Sequence, residues 1–132
     1  MALTLGRMTL LVEDQDAAAS FYAAALGFVT LHDQVLPNGF RAVHIGPSDD
    51  DGAGLWLMPS AEAVGRQTAG YPLLVLYTDD LDGDLARLAG LGILPSQGPV
   101  REQGSAYAHV PDLYGNDLVL VELTPAAASP SA

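Results

Sequence analysis

Residues 10–28 read LLVEDQDAAASFYAAALGF, and residues 74–93 read LVLYTDDLDGDLARLAGLGI. Both run through an apolar strand, an acidic turn and a short helix, then Leu-Gly before another apolar residue. Aligning Val12 with Thr78 and Leu26-Gly27 with Leu91-Gly92 leaves a length difference of one residue, so the chain is an internal repeat. The chain has 132 residues, 49% of them apolar, enough for one domain with a sizeable core but too few for two ordinary ones. Two small modules therefore make up a single domain.

Periodicity places the elements of each copy. Leu3 to Val12 alternates as a strand, and Asp14 starts a helix whose Phe21, Tyr22, Ala25 and Leu26 share one face, with Gly27 as its C-cap. Phe28–Asp33 and Phe40–Ile45 read as strands on either side of a Pro37-Asn38-Gly39 reversal, and Leu55–Met58 as a fourth. This makes βαβββ over about residues 3–58, and residues 59–70 read as a linker. Over about 71–124 the order repeats: a Tyr71–Thr78 strand, then a helix capped by Asp80 and stopped at Gly90 or Gly92. Strands at Ile93–Pro95, Ser105–Val110 and Leu118–Leu123 follow. The last residues, 125–132, have nothing to pack and are expected to be disordered. The fold class is α+β: two βαβββ modules whose sheets each bury one face under a helix and enclose a cleft with the other.

Charge and composition exclude several functions. The net charge is −11, with five arginines and no lysine, which argues against a nucleic-acid partner. Asp14, Asp16, Asp80 and Asp82 sit at helix starts, where carboxylates cap backbone N–H groups. The absence of cysteine removes disulfides and thiolate chemistry. No apolar run reaches membrane-spanning length and the N-terminus lacks a secretion pattern, so no membrane partner and a cytoplasmic location are expected.

Taken with the repeat, the FYxxxLGF pattern of Phe21-Tyr22 through Leu26-Gly27-Phe28, the VxD strand end at Val12 and Asp14, and the D-x-x-G-N turn of Asp112, Gly115 and Asn116 resemble the vicinal oxygen chelate superfamily. That group contains glyoxalase I, bleomycin-resistance proteins and extradiol dioxygenases, and the resemblance covers about residues 5–124. It implies the paired-βαβββ fold, a ligand cleft and a homodimer. In the superfamily's enzymes, His and Glu ligands to a divalent metal come from the first and closing strands of each module. Those positions fall here on Arg7, Trp56, Leu73 and Val119. A guanidinium stays protonated and has no lone pair to give, and the other three side chains are not ligands. A shift of one residue reaches only Gly6, Met8, Leu55, Leu57, Pro72, Leu74, Leu118 and Leu120. No metal and no other cofactor is expected at these positions, and no catalytic residue is assigned.

The cleft-facing set expected from strand parity is Arg7, Thr9, Phe40, Trp56, Met58, Leu73, Tyr107, His109 and Val119, with Leu11 and Val75 beside them. Apolar and aromatic walls with a few polar tips describe a small-molecule site. Trp56 is either filler between the sheets or a flat face for a conjugated ligand. Arg7 either contacts the ligand or pairs with a carboxylate such as Asp117. The expected function is metal-free sequestration of a hydrophobic or aromatic small molecule, an antibiotic among the candidates, close in character to the bleomycin-resistance branch. The alternative is a lyase, isomerase or dioxygenase holding a metal through His32, His44 or His109. Acid–base work by His109 with Tyr107 or Ser105 is disfavoured, because no third group is evident to orient the imidazole.

Overall fold

The computed structural model describes residues 2–50 and 52–123 and divides into two compact units, residues 1–67 and 68–132. The expected disordered tail, 125–132, lies outside the described residues. Each unit carries one four-stranded sheet and one helix.

In the first unit the elements are β1 (Arg7–Val12), α1 (Gln15–Leu26), β2 (Val29–Val35), β3 (Arg41–Gly46) and β4 (Gly54–Pro59). The sheet order is β1-β4-β3-β2, with β1 parallel to β4 and the other neighbours antiparallel. Asp14 begins α1 because its carboxylate accepts from Ala17 N at 2.9 Å. Gly27 ends the helix at φ 73°, a left-handed turn that a side chain would strain. Ala18, Tyr22 and Ala25 of α1 are buried against Leu10, Val12, Val43, Ile45, Leu55 and Leu57. Of the expected aromatic face only Tyr22 is fully buried; Phe21 and Leu26 are half-exposed, since small alanines bring α1 closest to the sheet. Gln15 ties the helix start to the sheet, donating from Nε2 to Arg41 O and Leu57 O at 2.9 and 3.1 Å.

The edge strand β1 is shorter than the expected Leu3–Val12, and residues 2–6 lie outside the sheet. Along it, the Gln67 amide stands in for a neighbouring strand, accepting from Leu11 N at 2.7 Å and donating to Thr9 O at 2.9 Å.

The second unit repeats the plan with β5 (Pro72–Thr78), α2 (Leu81–Gly90), β6 (Gln97–Glu102), β7 (Ser105–Pro111) and β8 (Asp117–Leu123), ordered β5-β8-β7-β6. Asp80 caps α2, accepting from Gly83 N at 3.0 Å, and Glu122 reaches back to accept from Leu81 N at 2.7 Å. Leu81 and Leu88 of α2 are buried with Ala106, Ala108, Val110, Leu118 and Leu120. The expected strand at Ile93–Pro95 is corrected to β6, two residues further on. Gly98-Pro99 within it reads as a breaker, but β6 is an edge strand, where a residue without an N–H is tolerated.

Candidate functional site

Strand parity sends one set of side chains under each helix and the other to the opposite face, termed here the open face. In the first unit the Leu36–Phe40 reversal closes with Gly39 N donating to Leu36 O at 2.8 Å, so β2 and β3 pair symmetrically about Asn38. That register sets His32 opposite His44, His44 opposite Trp56, and Trp56 opposite Thr9. The row Thr9–Trp56–His44–His32 crosses all four strands of the sheet.

The rings of His32 and His44 lie 5.1 Å apart, and those of His44 and Trp56 lie 5.8 Å apart. Arg7 reaches diagonally across and donates from Nε to His44 Nδ1 at 3.1 Å and from Nη1 to Gly6 O at 2.9 Å. Its stem runs over Gly54, where an added Cβ would sit 3.4 Å from Arg7 Cδ and 2.5 Å from Ile45 O. The Ile45 carbonyl, and not Arg7, is therefore what excludes a side chain at Gly54. His44 titrates below its ordinary range, first because burial disfavours the imidazolium and then because Arg7 and His32 stand beside it. With Nδ1 accepting from Arg7, its proton lies on Nε2. The Trp56 Nε1–H is shielded from solvent and meets no acceptor among the described residues.

In the second unit the corresponding row is Val75–Val119–His109–Gln97. His109 Nδ1 lies 2.9 and 3.0 Å from the two carboxylate oxygens of Asp117. Only a protonated Nδ1 can donate to a carboxylate, so here the imidazole carries its proton on the other nitrogen from His44. The Tyr107 ring meets His109 edge-on at 6.1 Å. Asp117 is held by the turn before it. Buried Asp112 accepts from Tyr114 N and Asn116 N at 2.9 Å, and Asn116 Nδ2 donates to Asp112 at 3.0 Å. The D-x-x-G-N turn is thus a rigid hairpin end.

The expected site residues are distributed as follows. Arg7, Thr9, Trp56 and Met58 share the first open face; Tyr107, His109 and Val119 share the second. Phe40 lies in the β2–β3 reversal rather than in a strand, because the turn consumes it: its carbonyl accepts from Leu36 N at 2.7 Å. Leu73 sits at an irregularity in β5, between the registered residues Pro72 and Leu74. Two expectations are corrected. Asp117 was one candidate partner for Arg7, but its carboxylate holds His109. That same contact supplies the orienting group for His109 that the sequence did not reveal. The signal was present, since symmetry about Tyr114 puts Pro111 opposite Asp117 and places Asp117 two residues from the partner of His109.

The residues at the superfamily's metal positions do not fit a divalent cation. Arg7, Trp56, Leu73 and Val119 offer no lone-pair oxygen or imidazole. His32 and His44 are adjacent, but Nδ1 of His44 is engaged by Arg7. Among the described residues no three His, Cys, Asp or Glu side chains gather as a metal site.

Two βαβββ units with helix-covered sheets and imidazole-bearing open faces define a glyoxalase-like fold. The family model described as the Glyoxalase/Bleomycin resistance protein/Dioxygenase superfamily matches residues 4–123, and the chain belongs to this superfamily. Among solved structures it is similar to TnmS3, an antibiotic binding protein from Streptomyces sp. CB03234, at 30% identity and a TM-score of 0.77, covering 94% of this chain and 99% of that one. It is also similar to a superfamily member from Sphaerobacter thermophilus DSM 20745, at 28% identity and a TM-score of 0.75, covering 92% and 98%. An uncharacterized protein of Shewanella frigidimarina is 30% identical over 93% of this chain and 96% of its own length.

Proposed function

We propose that this protein binds and sequesters a hydrophobic or aromatic small molecule without the help of a metal. The observation that carries this reading is the replacement of all four metal-ligand positions by Arg7, Trp56, Leu73 and Val119, side chains suited to contact and stacking rather than chelation. Sequestration needs affinity and abundance only, so a chain that has lost the ligands keeps the activity. The likeness to an antibiotic binding protein at 30% identity supports an antibiotic as the class of cargo. A homodimer in the cytoplasm is the setting we propose for it.

A thermal-shift screen of the full chain against polyaromatic and glycopeptide antibiotics, with and without chelator, tests the reading. A ligand at a hundredfold excess over its Kd stabilises the folded state by about 2.7 kcal/mol. The expected result is a shift in Tm that persists in chelator. Shifts that appear only with added zinc, nickel, manganese or iron would overturn the proposal in favour of a metal-dependent enzyme, as would turnover of the ligand.

A further inference from the structure

The open face of the first module is chemically unlike the rest of the chain. The sequence carries 16 acidic residues against five arginines. Yet the described strand residues that share this face, Arg7, Thr9, Gln34, His32, His44 and Trp56 with their apolar and glycine neighbours, include no carboxylate. Asp33, the one acid within these strands, lies on the helix side, where Arg41 bridges it and Asp16 at 2.8 and 2.9 Å. Arg7 forms no ion pair with any described residue and is held instead by an imidazole and a carbonyl. Arg66 likewise lacks an ion pair among the described residues but is exposed, whereas Arg7 is half-buried, so a counter-charge for Arg7 would come from outside this face.

Hydrogen-bond polarity points the same way. The Nη2 amine of Arg7 makes no hydrogen bond to the described residues, and a guanidinium has no acceptor. His44 spends its one acceptor nitrogen on Arg7 and presents Nε2–H. The Trp56 N–H is shielded from solvent and meets no acceptor among the described residues. Arg7 and His44 thus offer donors on this face, beside two aromatic surfaces.

Resting on the sequestration reading, we infer that the cargo is a planar aromatic molecule bearing an oxyanion, a carboxylate, phenolate or enolate, with the oxyanion seated on Arg7 and the ring against Trp56 and His44. Guanidinium matches a carboxylate with two parallel hydrogen bonds, which fixes the ring's direction as well as adding affinity. A cationic cargo would meet Arg7 with like charge and find, among the strand side chains of this face, acceptors only on Thr9, Gln34 and His32.

Isothermal titration of the full chain with 2-naphthoate, 2-naphthamide and 2-naphthylmethylammonium separates the charge from the ring, and quenching of Trp56, the sole tryptophan, reports where the ring lands. The expected order is carboxylate at least tenfold tighter than amide, with the ammonium weakest. Arg7→Gln should bring the carboxylate down to the amide without changing amide affinity, and Arg66→Gln should leave the preference intact. A melting curve confirms that both variants fold. Equal binding of all three probes would sink the oxyanion inference and leave sequestration standing. No binding and no quenching by any probe would count against both.

Discussion

The two open faces occupy matching places in one repeated backbone, and they differ in almost every side chain. His44 and His109 are counterparts, each opposite a residue of the closing strand, Trp56 in one module and Val119 in the other. Beside the first stands Arg7; beside the second stands Asp117. The same ring on the same scaffold is therefore held as an acceptor in one module and as a donor in the other. Around His44 lie an indole, a second imidazole and a guanidinium, whereas around His109 lie Val119, Tyr107 and the Asp117 carboxylate. The helix sides differ in individual residues, Ala18, Tyr22 and Ala25 against Leu81 and Leu88, but both are apolar. There, Leu10 pairs with Leu57 and Leu76 with Leu120, and each helix seals a layer of aliphatic side chains. Duplication kept what the core needs and left the open faces free to specialise.

The largest effects should therefore fall equally on both modules. Leu57→Ala and Leu120→Ala each remove a buried side chain from beneath a helix and should each cost about 3 kcal/mol in urea unfolding. A nearly neutral result for one alone would show that the modules do not share a core design.

Asp117→Asn sharpens the contrast between the histidines. The pair is only 19% and 23% exposed, so exchanging the carboxylate for an amide weakens a charge-assisted hydrogen bond by about 1.5 kcal/mol. Nitrogen NMR should report Nδ1–H on His109 and Nε2–H on His44 in the parent chain. The same tautomer on both rings would erase the distinction. The helix caps come next: Asp14→Ala and Asp80→Ala should lose about 1 kcal/mol each, again alike in the two modules.

The pH response is the smallest effect and the most one-sided. An unfolded histidine titrates near 6.5, and His44 in the folded module titrates lower, chiefly through burial and then through Arg7 and His32. On acidification the unfolded state takes up this proton first. The stability linked to His44 is thus complete above about pH 6.5 and declines as the pH falls below that value. Asp16 and Asp33, held below the ordinary carboxylate range mainly by their hydrogen bonds to Arg41, add a further loss only at more acid pH, below about 4. Replacing Arg7 with Met should lessen, without abolishing, the first of these losses in a pH series of unfolding curves. An unchanged profile would mean that burial alone acts on His44.

Much of this architecture is legible in the residues themselves. The paired FYxxxLGF and LARLAGLGI segments announce two helices of like length, and Asp14 and Asp80 mark their starts, because caps and apolar periodicity are local properties. The reversal at Pro37-Asn38-Gly39 even contains the His32–His44 pairing, once its symmetry about Asn38 is counted. What local pattern misread was β6, whose Gly98-Pro99 looks like a break until its place at the sheet edge is known, and Phe40, which the turn took from the strand.

The chain of residues by itself determined two βαβββ modules, their helix-side cores and the absence of metal-ligating side chains at Arg7, Trp56, Leu73 and Val119, since each follows from side-chain type at a periodic position. Tertiary structure decided that Arg7 contacts His44 and that Asp117 contacts His109. Arg7 and Asp117 lie 37 and eight residues from their imidazoles, and only the pairing of strands brings a guanidinium to one and a carboxylate to the other. Hydrogen-bond direction depends on that proximity, and so does the difference between a face that can welcome an oxyanion and one that already holds its own.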